Sequence, residues 1–277
     1  MDKKSIAYVY VMTNDNGFAP CTDKGWFTLA CCKGGKKGGM RKSAFKNSEG
    51  NDIDIYVLAL CGKALAKELA KKTAKTDYEK YLYKPVYFAK IDKIISMIDY
   101  YKTIGGKSKG RCDDVYEALE DNKYNEIKKG LDPRQNVIVS PEKEGWILIS
   151  KLSNEKHHLP CTSDNIEEDK KKGKYDSVEK DLGGEYVLCS KHYIYWGDKC
   201  GDNNDRPDKI FNTWIDAIKT QPRGYRVFKG DVEELATVKE KGWLIEDMTK
   251  IKGVKHRHIS PRPDTKNNIS GCGGKKK

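Results

Sequence analysis

The turn Asp15-Asn-Gly-Phe-Ala-Pro20 combines a carboxylate, a glycine free to take positive φ, an aromatic ring and a proline with fixed φ. Such a turn can present Phe18 as a stacking surface and Asp15 as an acceptor for the edge of a nucleic-acid base. The competing reading is an ordinary turn with Phe18 in the core. In Thr28-Leu-Ala-Cys-Cys-Lys33, strand alternation puts Thr28, Ala30 and Cys32 on one face and Leu29 and Cys31 on the other. One cysteine is then buried and one faces a groove. Nucleophilic use of Cys32 needs a base nearby, and the histidines in the body of the chain are His157, His158 and His192. A packed, inert cysteine is the alternative. The segment His192-Tyr-Ile-Tyr-Trp196 brings Tyr195 and Trp196 next to a histidine just before Gly197. Both rings are good stacking platforms for an exposed base, and both are also ordinary core residues.

A second kind of chemistry is electrostatic. The formal charge of +12 is concentrated in two places. Between Lys33 and Lys46 stand Lys33, Lys36, Lys37, Arg41, Lys42 and Lys46 with no acid, which makes +6. From Lys255 to Lys277 seven basic residues face only Asp264, another +6, so the rest of the chain sums to zero. Local basic features on a neutral body suit an oriented contact with phosphates better than diffuse adhesion, although lysine-rich tails also serve solubility alone. The glycine-rich stretch between Lys33 and Arg41 cannot be aligned to a Walker A motif. It reads as a flexible basic loop that touches phosphates through Lys36, Lys37 and Arg41, with a solvated insertion as the alternative.

At 277 residues the chain can bury a sizeable core without a disulfide or metal staple. Its nine cysteines include no C-x-x-C pair, so neither zinc-ribbon nor redox-motif spacing is present, and neither a metal nor another cofactor is expected. The early alternating run Ile6-Ala-Tyr-Val-Tyr-Val11 is too short for a secretory signal, and no apolar stretch approaches a membrane span. A cytoplasmic protein with free thiols and no membrane partner is the expectation.

Positioning these residues falls to elements legible from periodicity. Strands are expected at 5–13, Trp26 to Cys32, Ile53 to Cys61, Pro85 to Ile91, Gly145 to Lys151, Glu185 to Ser190 and Gly224 to Gly230. Lys63 to Lys72 reads as a helix with Leu65 and Leu69 on one face and Glu68 placed to pair with Lys72. Asp92 is expected to cap a helix carrying Ile94, Ile95, Ile98 and Tyr101. A further helix carries Ile210, Phe211, Trp214, Ile215 and Ile218, and Asp231-x-x-Glu234 opens another. Residues 153–174 read as a mobile connection. The close spacing of the early strands predicts an α+β fold built on a mainly antiparallel, curled sheet with peripheral helices. A single elaborated domain is expected over 1–254, followed by a disordered basic tail over 255–277.

The motifs Asn14-Asp-Asn-Gly-Phe-Ala-Pro20, Phe27-Thr-Leu-Ala-Cys-Cys-Lys33 and Arg41-Lys-Ser-Ala44 resemble the nucleotide-modification-associated domain family, second type. Looser similarity extends to Lys84-Pro-Val-Tyr-Phe-Ala-Lys-Ile91, Asp113-Asp-Val-Tyr116, Gly184 to Gly197 and Gly224-Tyr-Arg226, in one order over about residues 5–230. Two departures stand out. Gly-Gly-Lys-Lys-Gly-Gly replaces the proline that the family has after Lys33, and Gly50-Asn-Asp-Ile-Asp-Ile-Tyr56 stands for its Gly-Asp-Trp strand entry. The resemblance implies association with the modification, or the recognition, of bases in DNA or RNA. The order of elements is also similar to PUA-like barrels, which suggests a barrel as the alternative to an open sheet. Three functions fit: a reader of a modified or extruded base or nucleotide, an enzyme on nucleotides or nucleic-acid bases using Asp15, Cys32 or His192, and an accessory subunit of a modification or defence complex. The reader is preferred because no nucleophile, base and orienting group assemble at a recognisable spacing. Its expected pocket joins Asp15, Phe18, Thr28 and Cys32 to His192, Tyr195 and Trp196, with Lys33, Lys36, Lys37 and Arg41 at the rim.

Overall fold

A computed structural model of the chain describes residues 4–15, 17, 19–30, 33, 39–74, 77–105, 111, 113, 116–118, 138–139, 146–148, 183–200, 208–220, 224–231 and 254–255. In chain order the strands are β1 (Lys4–Met12), β2 (Phe27–Leu29), β3 (Ile53–Cys61), β4 (Pro85–Lys90), β5 (Lys93–Ser96), β6 (Tyr116–Ala118), β7 (Ile138–Val139), β8 (Trp146–Leu148), β9 (Tyr186–Ser190), β10 (His192–Tyr195), β11 (Tyr225–Asp231) and β12 (Val254–Lys255). The α-helices are α1 (Gly39–Ser48), α2 (Lys63–Lys72), α3 (Met97–Thr103) and α4 (Asp208–Lys219). Two compact units emerge. The first takes Met1–Leu29, Ser43–Ile94 and Leu188–Pro261, and the second takes Ala30–Lys42, Ile95–Val187 and Arg262–Lys277.

The fold is α+β with mostly antiparallel pairing. The main sheet has the order β11-β1-β3-β4-β10-β12, in which β1/β3 and β10/β12 are parallel and the other neighbours antiparallel. Among the described residues this sheet is open, with β11 and β12 at its edges, so it is not the closed PUA-like barrel of the alternative expectation. Two smaller sheets have the orders β2-β9-β5 and β6-β8-β7. Strand β1 is interior, between β11 and β3, and its residues from Ser5 to Tyr10 are all buried, as expected for a strand covered on both faces.

Register and alternation assign the two faces. On one, Tyr8 and Tyr10 of β1, Tyr87 of β4 and Tyr193 and Tyr195 of β10 share a side, since Tyr10 pairs with Ala59, Ala59 with Tyr87 and Tyr87 with Tyr195. On the other face Tyr56 stacks on Phe88 at 5.7 Å between centroids, and Trp214 of α4 lies 6.5 Å from Phe88 and 5.6 Å from Phe228. Trp214, Ile215 and Ile218 are the buried stripe that the helical period predicts, each worth about 1.5–3 kcal/mol in removed apolar surface.

Helix α2 forms over the predicted residues, buries Leu65 and Leu69, and carries the Glu68–Lys72 pair at 3.7 Å. Two local expectations differ. Asp92 caps no helix. The β-branched pair Ile94-Ile95 continues as β5, and α3 starts later, where the Ser96 hydroxyl accepts the Asp99 N–H at 3.0 Å and reaches its carboxylate at 2.7 Å. Strand β2 is three residues long, shorter than the expected Trp26–Cys32. The helix expected at Asp231-x-x-Glu234, the connection at 153–174 and nearly all of the basic tail lie outside the described residues.

Candidate functional site

The turn after β1 carries Asp15 inward. Gly17 takes φ 89°, the left-handed conformation that favours glycine, and the Ala19–Pro20 peptide is cis. Asp15 has no exposed surface, and its carboxylate accepts the hydroxyl of Tyr195, 180 residues further along the chain. Beside this pair the hydroxyls of Tyr10 and Tyr87 are 2.6 Å apart. Phe27 of β2 covers the same rings, 4.9 Å from Tyr87 and 5.8 Å from Tyr193 between centroids. Tyr8 extends the row, with its hydroxyl bonded to Ser43 and Asn47 at 3.2 and 2.7 Å. The result is a face of tyrosines around one carboxylate.

Burial sets the electrostatics of this cluster. It pushes the Tyr195 phenol well above its usual range, and the neighbouring Asp15 charge pushes in the same direction. Tyr87 is raised well above its usual range too, first by burial and then by Tyr10 and Asp15. Tyr8 is also raised by burial, partly offset by its hydrogen bonds to Ser43 and Asn47. These phenols therefore stay protonated over the physiological range and act as donors and acceptors rather than as charged groups.

The other expected site residues fall in several places. Thr28 is buried, paired through its backbone with Cys21 and Cys189, and its hydroxyl lies 3.5 Å from the Cys21 carbonyl. Trp196 follows Tyr195 but is only 6 % exposed, so its ring is not an open stacking surface; its backbone N–H donates to the Val86 carbonyl at 2.8 Å. His192 sits at the opposite end of β10, where its Nδ1 lies 2.5 Å from the Asp92 carboxylate. The first unit thus brings Asp15 to Tyr195 and the chain next to Trp196, while His192 makes its own pair.

Lys33 and Arg41 belong to the second unit and have local roles. The Lys33 carbonyl accepts the Met40 and Arg41 N–H groups at 2.8 and 3.4 Å, which supplies partners to the open first turn of α1. Arg41, expected on an exposed rim, is completely buried. Its guanidinium donates to the Ala30 carbonyl, to the Tyr186 carbonyl at 2.8 Å and toward Met97 Sδ at 3.5 Å. A cation in that position pins backbone carbonyls and cannot meet a phosphate at the surface. Phe18, Cys32, Lys36 and Lys37 lie outside the described residues.

Comparisons with family models, with curated proteins and with solved structures find no match. The site therefore rests on its own geometry.

Sequence reasoning passed over Tyr10 and Tyr87, which complete the cluster, and Asp92, which orients His192. The signal for the first was present as Tyr8-Val-Tyr10, two tyrosines at strand spacing on one face of an otherwise aliphatic strand. Among the described residues no group of three or more His, Cys, Asp or Glu side chains is placed to hold a metal ion. No helix among them is long and apolar enough to cross a membrane. Cys21, Cys61, Cys189 and Cys200 are buried and in no disulfide.

Proposed function

We propose that this chain is a nucleic-acid-associated protein that binds a modified or extruded base or nucleotide, with the Asp15 cluster as the recognition centre. The observation that supports this most is a carboxylate with no exposed surface set among the hydroxyls of Tyr195, Tyr10 and Tyr87 and beneath Phe27. Burying a carboxylate is costly, and a sheet face that needed only packing is filled more cheaply by aliphatic side chains. A base edge presents N–H donors, which a carboxylate such as Asp15 complements.

A second reading, an enzyme acting on nucleotides or nucleic-acid bases, is favoured by one observation. Asp92 holds His192 through Nδ1 at a partly exposed position, which leaves Nε2 available as a general base.

Mass spectrometry of compounds retained on the purified protein, followed by equilibrium binding of the nucleotide found, tests the reading. Asp15→Asn and Tyr195→Phe keep shape and remove the charge or the hydroxyl. A hydrogen bond to a charged group is worth about 1.5–3 kcal/mol, so Asp15→Asn should weaken binding roughly 10- to 100-fold, read under conditions where circular dichroism shows the variant folded. Equal affinity for both variants and the unaltered protein would remove the cluster as the binding centre. Turnover of the bound nucleotide that is lost in His192→Gln would favour the second reading.

A further inference from the structure

One corner of the first unit, apart from the tyrosine face, gathers an aromatic ring and two cations, with a third lysine on the turn just before the ring. Phe27 turns its ring toward Tyr87 and Tyr193, so alternation turns the preceding residue, Trp26, outward, where it is half-buried. The antiparallel register pairs Phe27 with Ser190, and one step further brings Trp26 to the level of Lys191. The ammonium groups of Lys191 and Lys93 lie 4.8 and 5.8 Å from the Trp26 ring centroid. Both lysines are exposed, as is Lys24, which takes φ 55° in the single turn leading to Trp26.

This grouping is built rather than scattered. The Asp92 carboxylate accepts the Lys191 N–H at 2.6 Å and meets His192 Nδ1 at 2.5 Å, while its own N–H donates to the Cys189 carbonyl at 3.0 Å. Lys93 is its chain neighbour. Asp92 therefore ties the Lys191 backbone to the residue that precedes Lys93, so both lysines leave the fold beside the same indole. A lone exposed lysine serves solubility. Two lysines fixed around a tryptophan that keeps exposed surface present the two things that a single-stranded nucleic acid offers partners for, a flat ring for a base and cations for the phosphates that flank it.

We propose that Trp26, Lys191, Lys93 and Lys24 form a contact for single-stranded nucleic acid, in which a base stacks on the indole and its neighbouring phosphates meet the ammonium groups. The ligand class rests on the nucleic-acid reading above; the site is additional to the Asp15 cluster. A duplex keeps its base faces stacked internally, and an acidic peptide supplies carboxylates without a flat ring to cover the indole, so the single strand uses the whole patch best.

Fluorescence anisotropy with labelled oligothymidylate and oligouridylate, titrated over salt, tests the site. Trp26→Ala should weaken binding roughly tenfold, and Trp26→Phe should recover most of the loss, since stacking survives with a smaller ring. The exposed double variant Lys93→Gln/Lys191→Gln should lower the slope of log affinity against log salt by about 1.4, at about 0.7 per phosphate contact on a single strand. The double variant decides the question should Trp26→Ala fail to fold. Unchanged affinity and slope in all variants would overturn this site while leaving the nucleic-acid reading intact. An unaltered protein that binds neither oligonucleotide would also overturn it, and mononucleotide binding at Asp15 would then judge the earlier reading by itself. Loss of binding in the lysine variant alone, with Trp26→Ala unaffected, would overturn the stacking contact.

Discussion

The tyrosine face makes the fold lose stability at alkaline pH. Tyr87 and Tyr195 are held well above the ordinary phenol range by burial, reinforced by the Asp15 charge. In the unfolded chain each titrates near pH 10, so above that pH the unfolded state loses protons that the folded state keeps. A group whose folded pKa is raised gives stability that is present in full below its unfolded pKa and is lost as pH rises beyond it. Each such phenol then costs up to about 1.4 kcal/mol per pH unit, or about 1.4 kcal/mol by pH 11, and the two together about 2.8 kcal/mol. Against a typical stability of about 5–15 kcal/mol this is a large fraction. Urea unfolding followed by circular dichroism between about pH 8 and pH 11 measures the loss directly. Tyr195→Phe changes stability at neutral pH by removing the bond to Asp15. Its diagnostic effect lies in the pH dependence, which should be flatter than that of the unaltered protein by about 1.4 kcal/mol over that range. Parallel profiles for the two proteins would mean that Tyr195 titrates as an exposed phenol does, and the buried carboxylate–tyrosine cluster would have to be abandoned.

Two further outcomes follow from packing. A Cβ at Gly184 would fall inside the van der Waals envelope of the buried Arg41 guanidinium, so Gly184→Ala must displace a group fixed by the Ala30 and Tyr186 carbonyls. With one or two charge-assisted bonds weakened, a loss of about 2–4 kcal/mol in chemical denaturation is expected, and no loss would show that the guanidinium has room to move. Trp196→Ala should cost about 3–5 kcal/mol of stability, the range for a buried tryptophan, because this ring is packed; an unchanged melting temperature with weaker ligand binding would restore it as an open stacking platform.

Local pattern carried much of the fold. Strands β1, β3, β4, β9 and β11 and helices α2 and α4 appear where alternation or the helical period puts them, because each depends on one buried face written into consecutive residues. Helix α1 was hidden: Gly-Met-Arg-Lys-Ser-Ala-Phe-Lys has few apolar positions and begins in a glycine-rich stretch. Around Asp92, two isoleucines fit a helix face and a strand equally well, and only the sheet neighbour decided for β5.

For the candidate site, the sequence by itself marked Asp15, Tyr195 and the glycine-bearing turn, since their residue types are unusual in neighbouring positions. It also established the +12 charge and its two concentrations. That Tyr195 reaches Asp15 was decided by the order β1-β3-β4-β10, which brings residues 180 apart to one face. The fate of Arg41 was equally a tertiary matter. A basic run shows how many cations a segment has, but whether one of them meets solvent or is sealed against the Ala30 and Tyr186 carbonyls depends on what folds over it. Burial and long-range partners are properties of the packed chain, and no local period encodes them.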